Sequence, residues 1–229
     1  MSKYLYTNGC SFTAGHTLKL DDTWPFKLGE LFNRKVYNKA VNGNSMFAIS
    51  HTTYHHLQFL PPEDTIVVIG TTWEGRKGIL FDNTSLTFKS GVTTKESDNY
   101  YSQISTHRRI CPVANLDTNN RIKNKVEDDW RNDPDFIKVM DAQDDAIQTL
   151  VRHDPYYERN IQLEYKYHLT MLESYLQNKG YKYLFVDFQK YYYPEKYISW
   201  QITQNETSHP TAEDCTKLAN FIYNKLSNE

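Results

Sequence analysis

The sequence predicts a protein of the α/β class, in which a parallel sheet is covered by helices on both faces. Short apolar segments alternate with longer amphipathic segments, a rhythm typical of repeated strand–helix units. One short segment, residues 64–70, contains the unbroken run Thr-Ile-Val-Val-Ile-Gly. Such β-branched runs are typical of parallel strands that are buried on both faces.

The individual elements follow from the same patterns. We expect strands at residues 3–7, 34–40, 64–70 and 181–188, and helices at residues 23–32, 45–60, 156–179 and from Thr211 onward. Leu31 is predicted to share the buried face of the first helix, and Phe221 that of the last. Gly180 follows the third helix as a stop signal, and Asp214 lies three residues after Thr211 in the manner of a capping box.

Residues 71–155 interrupt this rhythm. The segment is polar, rich in Asn and Asp, and contains one helix-like pattern at residues 135–152. We therefore predict one domain over residues 1–229, with residues 71–155 inserted after the third strand in the manner of a lid.

Composition excludes several classes of protein. The chain has 229 residues and a net charge of −2, so it lacks the basic footprint of a nucleic-acid-binding protein. It has no apolar run long enough to span a bilayer and no signal-peptide pattern, which predicts no membrane association and a cytoplasmic location. The Asn-, Tyr- and Lys-rich composition also suits a viral or other intracellular protein. The sequence contains no pattern that indicates the oligomeric state.

Cysteine and tyrosine usage adds two expectations. Three cysteines without a CxxC pair argue against a disulfide framework and against a cysteine-based zinc site. The 18 tyrosines suit an amphipathic ligand such as a sugar, because a tyrosine ring can pack while its hydroxyl stays in water. Core packing explains the same tyrosines slightly better.

Polar residues follow the strands at the edge where ligands bind in parallel sheets. Ser11 lies just after the first strand, within Asn-Gly-Cys-Ser-Phe-Thr. Gly43 lies after the second strand and Thr72 after the third. His209 precedes the last helix, within His-Pro-Thr-Ala-Glu, and Glu206 stands three residues before it.

Taken in order, these motifs resemble the four sequence blocks of the SGNH (GDSL-like) hydrolases. The resemblance covers residues 3–228 apart from the insertion, and the His-Pro-Thr run is its most specific part. It implies a three-layer α/β/α fold with a parallel, flavodoxin-like sheet of about five strands. It also implies a catalytic triad of Ser11, His209 and Glu206, with the N–H groups of Ser11 and Gly43 stabilising the oxyanion.

The chain departs from the family pattern at two positions. Glu206 stands where the family usually has Asp, and Glu can orient an imidazole equally well. Thr72 stands where the family has an oxyanion-binding Asn, and loss of one such donor is worth about 3 kcal/mol. Thr72 could donate weakly in its place, or Asn42 or Asn44 could reach the oxyanion instead.

Further residues at this edge are candidates for binding substrate: Asn42, Asn44, Trp73, Glu74, Arg76 and Tyr192. For Arg76, an ion pair with Glu74 is as plausible as an anionic substrate. For Tyr192, packing is as plausible as stacking on a sugar. His51 and His55 have i, i+4 spacing, but no Glu follows His51 as in zinc proteases, so we predict no metal site and no cofactor. Cys10 is expected to face the sheet rather than act as a nucleophile.

Three functions fit these residues. The first is an SGNH-type serine esterase that removes an acyl group, with acetyl favoured, from a small molecule or carbohydrate. The second is a catalytically weak or inactive scaffold that binds a partner, which Thr72 favours. The third is a sugar O-acyltransferase with the same triad, because hydrolysis and transfer share one acyl-enzyme intermediate.

Overall fold

The computed structural model of this chain describes residues 3–15, 18–42, 44–74, 77–82, 108–113, 156–188, 197–199 and 209–228. Its strands are β1 (Tyr4–Asn8), β2 (Lys35–Asn38), β3 (Thr65–Gly70), β4 (Lys77–Asp82), β5 (Arg108–Val113), β6 (Lys182–Asp187) and β7 (Tyr197–Ser199). Five of them form one sheet in the order β2-β1-β3-β6-β7, and each neighbouring pair is parallel. Counted along the sheet, this is the 2-1-3-4-5 order of flavodoxin-like folds.

Helices cover both faces of the sheet. They are α1 (Ser11–Ala14), α2 (Trp24–Phe32), α3 (Met46–Leu57), α4 (Tyr157–Lys179) and α5 (Ala212–Ser227). One core joins α2 and α5 to alternate residues of the strands, including Leu5, Val68 and Leu184. The other joins α3 and α4 to the intervening residues, including Tyr6 and Val67. The fold is therefore the three-layer α/β/α arrangement that the sequence predicts.

The ends of two helices confirm sequence signals. Gly180 adopts the left-handed conformation after α4, with φ of 76°. Thr211 caps α5 in a full capping box with Asp214, as expected. By contrast, α3 ends at Leu57 rather than at residue 60.

Two predicted core residues lie at the surface instead. Leu31 is 40% exposed and Phe221 is 46% exposed. In α2 the buried residues include Trp24 and Leu28, which places Leu31 at the edge of the apolar stripe. In α5 the neighbouring residue Ile222 takes the buried position next to Phe221.

The interrupting segment contains two strands that the sequence analysis did not predict. β4 and β5 pair antiparallel, with Ile79 opposite Cys111, and form a sheet separate from the main one. The apolar run Ile79-Leu80-Phe81 in β4 was the available signal. The predicted helix at residues 135–152 lies outside the described residues, and the single-domain organisation stays a prediction. Among the helices that the structure describes, none is long and apolar enough to cross a membrane.

Candidate active site

Ser11 lies immediately beyond the carboxyl end of β1, where it begins the short helix α1. Cys10 is the N-cap residue of α1, and Gly15 ends it in the left-handed conformation, with its N–H donating to the Ser11 carbonyl. The Ser11 side chain is buried, with 8% of the residue exposed. Ser11 is therefore not the N-cap residue, the structural alternative for a serine in such a loop.

Thr13 fixes α1 against the sheet. Its side chain fits into space left by two glycines, because a Cβ on Gly9 would lie 2.3 Å from Thr13 Oγ1 and one on Gly70 would lie 2.1 Å from it. Gly9 follows β1 and Gly70 ends β3, so Thr13 is held between the ends of two adjacent strands. This packing places Ser11 at the point where the strand order reverses, the usual ligand site of such sheets.

His209 approaches Ser11 from the other end of the chain. His209 Nε2 lies 3.1 Å from Ser11 Oγ, although the two residues are 198 positions apart in sequence. The imidazole also packs against Phe12 in a T-shaped arrangement, with ring centroids 5.3 Å apart and ring planes at 86°. Phe12 in turn packs against Phe188, which follows β6. The 3.1 Å between His209 Nε2 and Ser11 Oγ is the separation required between a nucleophile and its general base.

The start of α5 determines where His209 lies. Thr211 Oγ1 accepts a hydrogen bond from the Asp214 N–H, and Asp214 Oδ2 accepts one from the Thr211 N–H. Pro210 between His209 and the cap is buried. The capping box thus holds the chain two residues after the imidazole in one conformation.

Thr72 and Asn44 join the loops that follow β3 and β2. Thr72 Oγ1 donates to the main-chain oxygen of Asn44 at 2.7 Å, and Asn44 Nδ2 donates to the Gly9 oxygen at 3.2 Å. Both residues are almost fully buried. A carbonyl oxygen can only accept, so the hydroxyl proton of Thr72 is used in this bond.

Two buried polar residues of this region were missed in the sequence analysis. Asp187 ends β6 with 1% of the residue exposed, and Thr71 Oγ1 donates to its Oδ1 at 3.3 Å. Asn8 ends β1; its Nδ2 lies 2.8 Å from Thr52 Oγ1, and its Oδ1 accepts from the Gly9 N–H at 2.8 Å. In the sequence, both residues could have been recognised as a polar residue at the end of an otherwise apolar strand.

The remaining predicted site residues are only partly described. Trp73 is 48% exposed, and Asn42 is also exposed. Glu74 accepts a hydrogen bond from Gln162 of α4 at 3.2 Å. Cys10 is buried, as expected, and its Sγ lies 3.8 Å from the Thr71 oxygen. Outside the described residues lie Gly43, Arg76, Tyr192 and Glu206.

A groove of about 520 Å³ lies between α3 and α4, and neither Ser11 nor His209 lines it. Aromatic and imidazole side chains form much of its wall. Burial raises the pKa of Tyr54 to about 12, with smaller contributions from Tyr167 and Tyr175. Burial also lowers the pKa of His168, against an opposing effect of Glu164. Among the described residues, no three His, Cys, Asp or Glu side chains are grouped as a metal site.

Comparison with known proteins gives matches at the level of structure. No family model matches the sequence, and no curated protein matches it. The structure of TesA is 11% identical, with a TM-score of 0.47 and coverage of 98% of each chain. Esterase EstA from Pseudoalteromonas sp. is 10% identical, with a TM-score of 0.44 and coverage of 99% of this chain and 98% of EstA.

A third match is a G-D-S-L family protein from Desulfitobacterium hafniense DCB-2. It is 14% identical, with a TM-score of 0.38, and the match covers 97% of this chain and 99% of that protein. The G-D-S-L family named in this match is the family that the sequence motifs of this chain resemble.

Proposed function

We propose that this chain is an SGNH-type serine esterase that removes an acyl group, with acetyl as the first candidate, from a small-molecule or carbohydrate ester. The observation that carries this proposal is the 3.1 Å contact between Ser11 Oγ and His209 Nε2. A serine hydroxyl is a weak nucleophile unless an adjacent base accepts its proton. The fold brings the imidazole of His209 to Ser11 from the opposite end of the chain, and we assign the role of base to it.

The proposed reaction has two halves. In the first, His209 Nε2 takes the proton of Ser11 as Oγ attacks the ester carbonyl. The tetrahedral intermediate then collapses, and the protonated His209 gives that proton to the leaving alcohol. In the second half, His209 activates a water that attacks the acyl-enzyme, which releases the acid and restores Ser11. No cofactor takes part in either half.

The surroundings of Ser11 support this chemistry. The N–H of Ser11 belongs to the first turn of α1, where helical N–H groups have no partner within the helix. We assign this N–H, together with that of Gly43, to the oxyanion, and Glu206 to the orientation of His209. The low exposure of Ser11 strengthens such electrostatic interactions, because little water competes for them.

A fluorophosphonate probe tests the proposal without knowledge of the substrate. We expect labelling of Ser11, located by peptide mass spectrometry, and its loss in Ser11→Ala and His209→Ala. Ser50→Ala is the matched control, because Ser50 is also buried but its hydroxyl donates to the Phe47 carbonyl on α3. Labelling in this control should equal that of the unsubstituted protein.

The second candidate function, an inactive scaffold, is favoured by one observation. The hydroxyl of Thr72, at the position of the family's oxyanion-binding Asn, is donated to the Asn44 carbonyl. If the folded protein is not labelled at Ser11, the esterase proposal is wrong and the scaffold explains the chain. If labelling occurs, hydrolysis of p-nitrophenyl acetate, butyrate and octanoate then identifies the preferred acyl length.

A further inference from the structure

A continuous series of buried hydrogen bonds crosses the edge of the sheet beside Ser11. It begins at Thr72, passes through the main-chain oxygen and the side-chain amide of Asn44, and ends at the Gly9 oxygen. Thr72 and Asn44 are 1% and 2% exposed. The loops after β3 and β2 are thereby tied to the residue two positions before Ser11.

Thr71, the residue before Thr72, is hydrogen-bonded to the neighbouring strand β6. The Thr71 N–H donates to the Val186 oxygen at 2.8 Å, and the Thr71 hydroxyl donates to Asp187. Thr71 therefore fixes the loop after β3 to β6. Thr72, the next residue, extends from this fixed point toward the loop after β2.

We propose that Thr72 is a positioning residue, which holds Asn44 against Gly9 and so sets where the loop after β2 lies relative to Ser11. Its side chain acts through Asn44 rather than on the reacting atoms. The hydroxyl has one proton, and the Asn44 carbonyl receives it. This inference rests on the proposed function for its kinetic test, but a second test below does not depend on that function.

The kinetic test compares three single variants by their rate of fluorophosphonate labelling at Ser11. Thr72→Val keeps the shape of the side chain and removes the hydroxyl, and we expect labelling to slow roughly 10- to 100-fold. Thr72→Ser keeps the hydroxyl and should remain within about threefold of the unsubstituted rate. Thr65→Val is the matched control, because Thr65 begins β3 at the end away from Thr72, is 2% exposed, and donates to the Pro61 carbonyl at 2.7 Å. It should label at the unsubstituted rate.

A double-mutant cycle separates positioning from direct donation to the oxyanion. Asn44→Ala cuts the bond from Asn44 to Gly9 but leaves the main-chain oxygen that Thr72 bonds. If Thr72 acts through Asn44, the double variant should label no more slowly than the slower single variant, because the series is already broken. Effects that multiply in the double variant would overturn the inference, as would an unchanged rate in Thr72→Val.

Hydrogen exchange provides the readout that is independent of catalysis. The Asn44 N–H donates to the Val41 oxygen, and the Ala48 N–H donates to Ser45 Oγ. We expect faster deuterium uptake in a peptide covering residues 42–48 of Thr72→Val, but not of Thr65→Val. Unchanged uptake would refute the positioning role, whether or not Ser11 is labelled. Failure of labelling with faster uptake would refute the esterase proposal alone.

Discussion

The side chain of Thr13 lies directly against Gly70, so close that a Cβ on Gly70 would be 2.1 Å from Thr13 Oγ1. This contact seats the helix that begins with Ser11 on the end of β3. Because Thr13 is fully buried, its side chain cannot turn out into solvent. We therefore expect a side chain at residue 70 to displace Thr13 and, with it, α1.

Gly70→Ala should consequently destabilise the fold by about 2 kcal/mol, the usual scale of overpacking, and separate Ser11 from His209. Urea denaturation measures the first effect and fluorophosphonate labelling the second. Adding Thr13→Ala removes the clashing oxygen, while Thr13 Cβ would lie at an ordinary 3.5 Å from the new Cβ. The double variant should recover part of the stability and labelling, because Phe188 Cε2 would still lie 3.0 Å from the new Cβ; no recovery at all would contradict the packing explanation.

The capping box of α5 leads to a second prediction. Thr211→Ala removes the hydroxyl that accepts from the Asp214 N–H, and should cost about 1 kcal/mol in unfolding free energy. It should also slow labelling of Ser11, because His209 lies two residues before the cap. Thr216→Ala is the control: its hydroxyl donates to the Ala212 carbonyl on an exposed part of the same helix. Equal losses of unfolding free energy and of labelling rate in Thr211→Ala and Thr216→Ala would contradict the role given to the capping box.

His56 predicts a pH dependence of stability. Burial lowers its pKa from 6.5 to about 4, with Lys39 acting in the same direction. His56 is therefore neutral in the folded protein at pH values where the unfolded chain already binds a proton. Its contribution to stability is complete above about pH 6.5 and decreases as the pH falls toward 4.

The loss over that range is about 3 kcal/mol, since one pKa unit corresponds to about 1.4 kcal/mol. His56→Gln should remove this part of the pH dependence. The measurement is urea denaturation of both proteins at pH 7 and pH 4.5. If the two proteins lose the same free energy between these pH values, His56 is not the buried titrating group.

The hydrogen bonds of Asn8 predict that its replacement by Asp, which has nearly the same shape, destabilises the fold. Asn8→Asp keeps the oxygen that accepts from the Gly9 N–H, but places a carboxylate oxygen against the Thr52 and Thr53 hydroxyls. Those two hydroxyls already donate to main-chain carbonyls of α3, so only the Tyr6 hydroxyl, 3.3 Å from the Asn8 amide nitrogen, could turn a proton toward the new oxygen.

We expect Asn8→Asp to reduce the unfolding free energy by about 3 kcal/mol at pH 7, as for a buried group left without its hydrogen bond. Asn220→Asp, an exposed change on α5, should alter it by less than about 0.5 kcal/mol. A mild effect of Asn8→Asp, similar to that of Asn220→Asp, would show that the amide donors of Asn8 contribute little.

The sequence by itself determined the layers of the fold and the two residues at the centre of the candidate site. Apolar periodicity and cap signals are local, so β3, α4 and the capping box at Thr211 could be read from neighbouring residues. Ser11 and His209 could be predicted as residues of one site, because each lies in a short motif at the boundary of a strand or helix. The strands β4 and β5 and the exposed positions of Leu31 and Phe221 were missed, because short strands and the edges of a helical stripe carry weak periodic signals.

Only the tertiary structure decided how residues distant in sequence meet. The sequence allows Thr72 to donate weakly to the oxyanion, or Asn42 or Asn44 to take that role, but only the fold brings the Asn44 carbonyl to 2.7 Å from the Thr72 hydroxyl. The fit of Thr13 between Gly9 and Gly70, and the contact of Asp187 with Thr71, are likewise set by the order of the strands. The physical reason is that a hydrogen bond or a steric contact depends on distances of a few ångström, which packing fixes and local sequence does not.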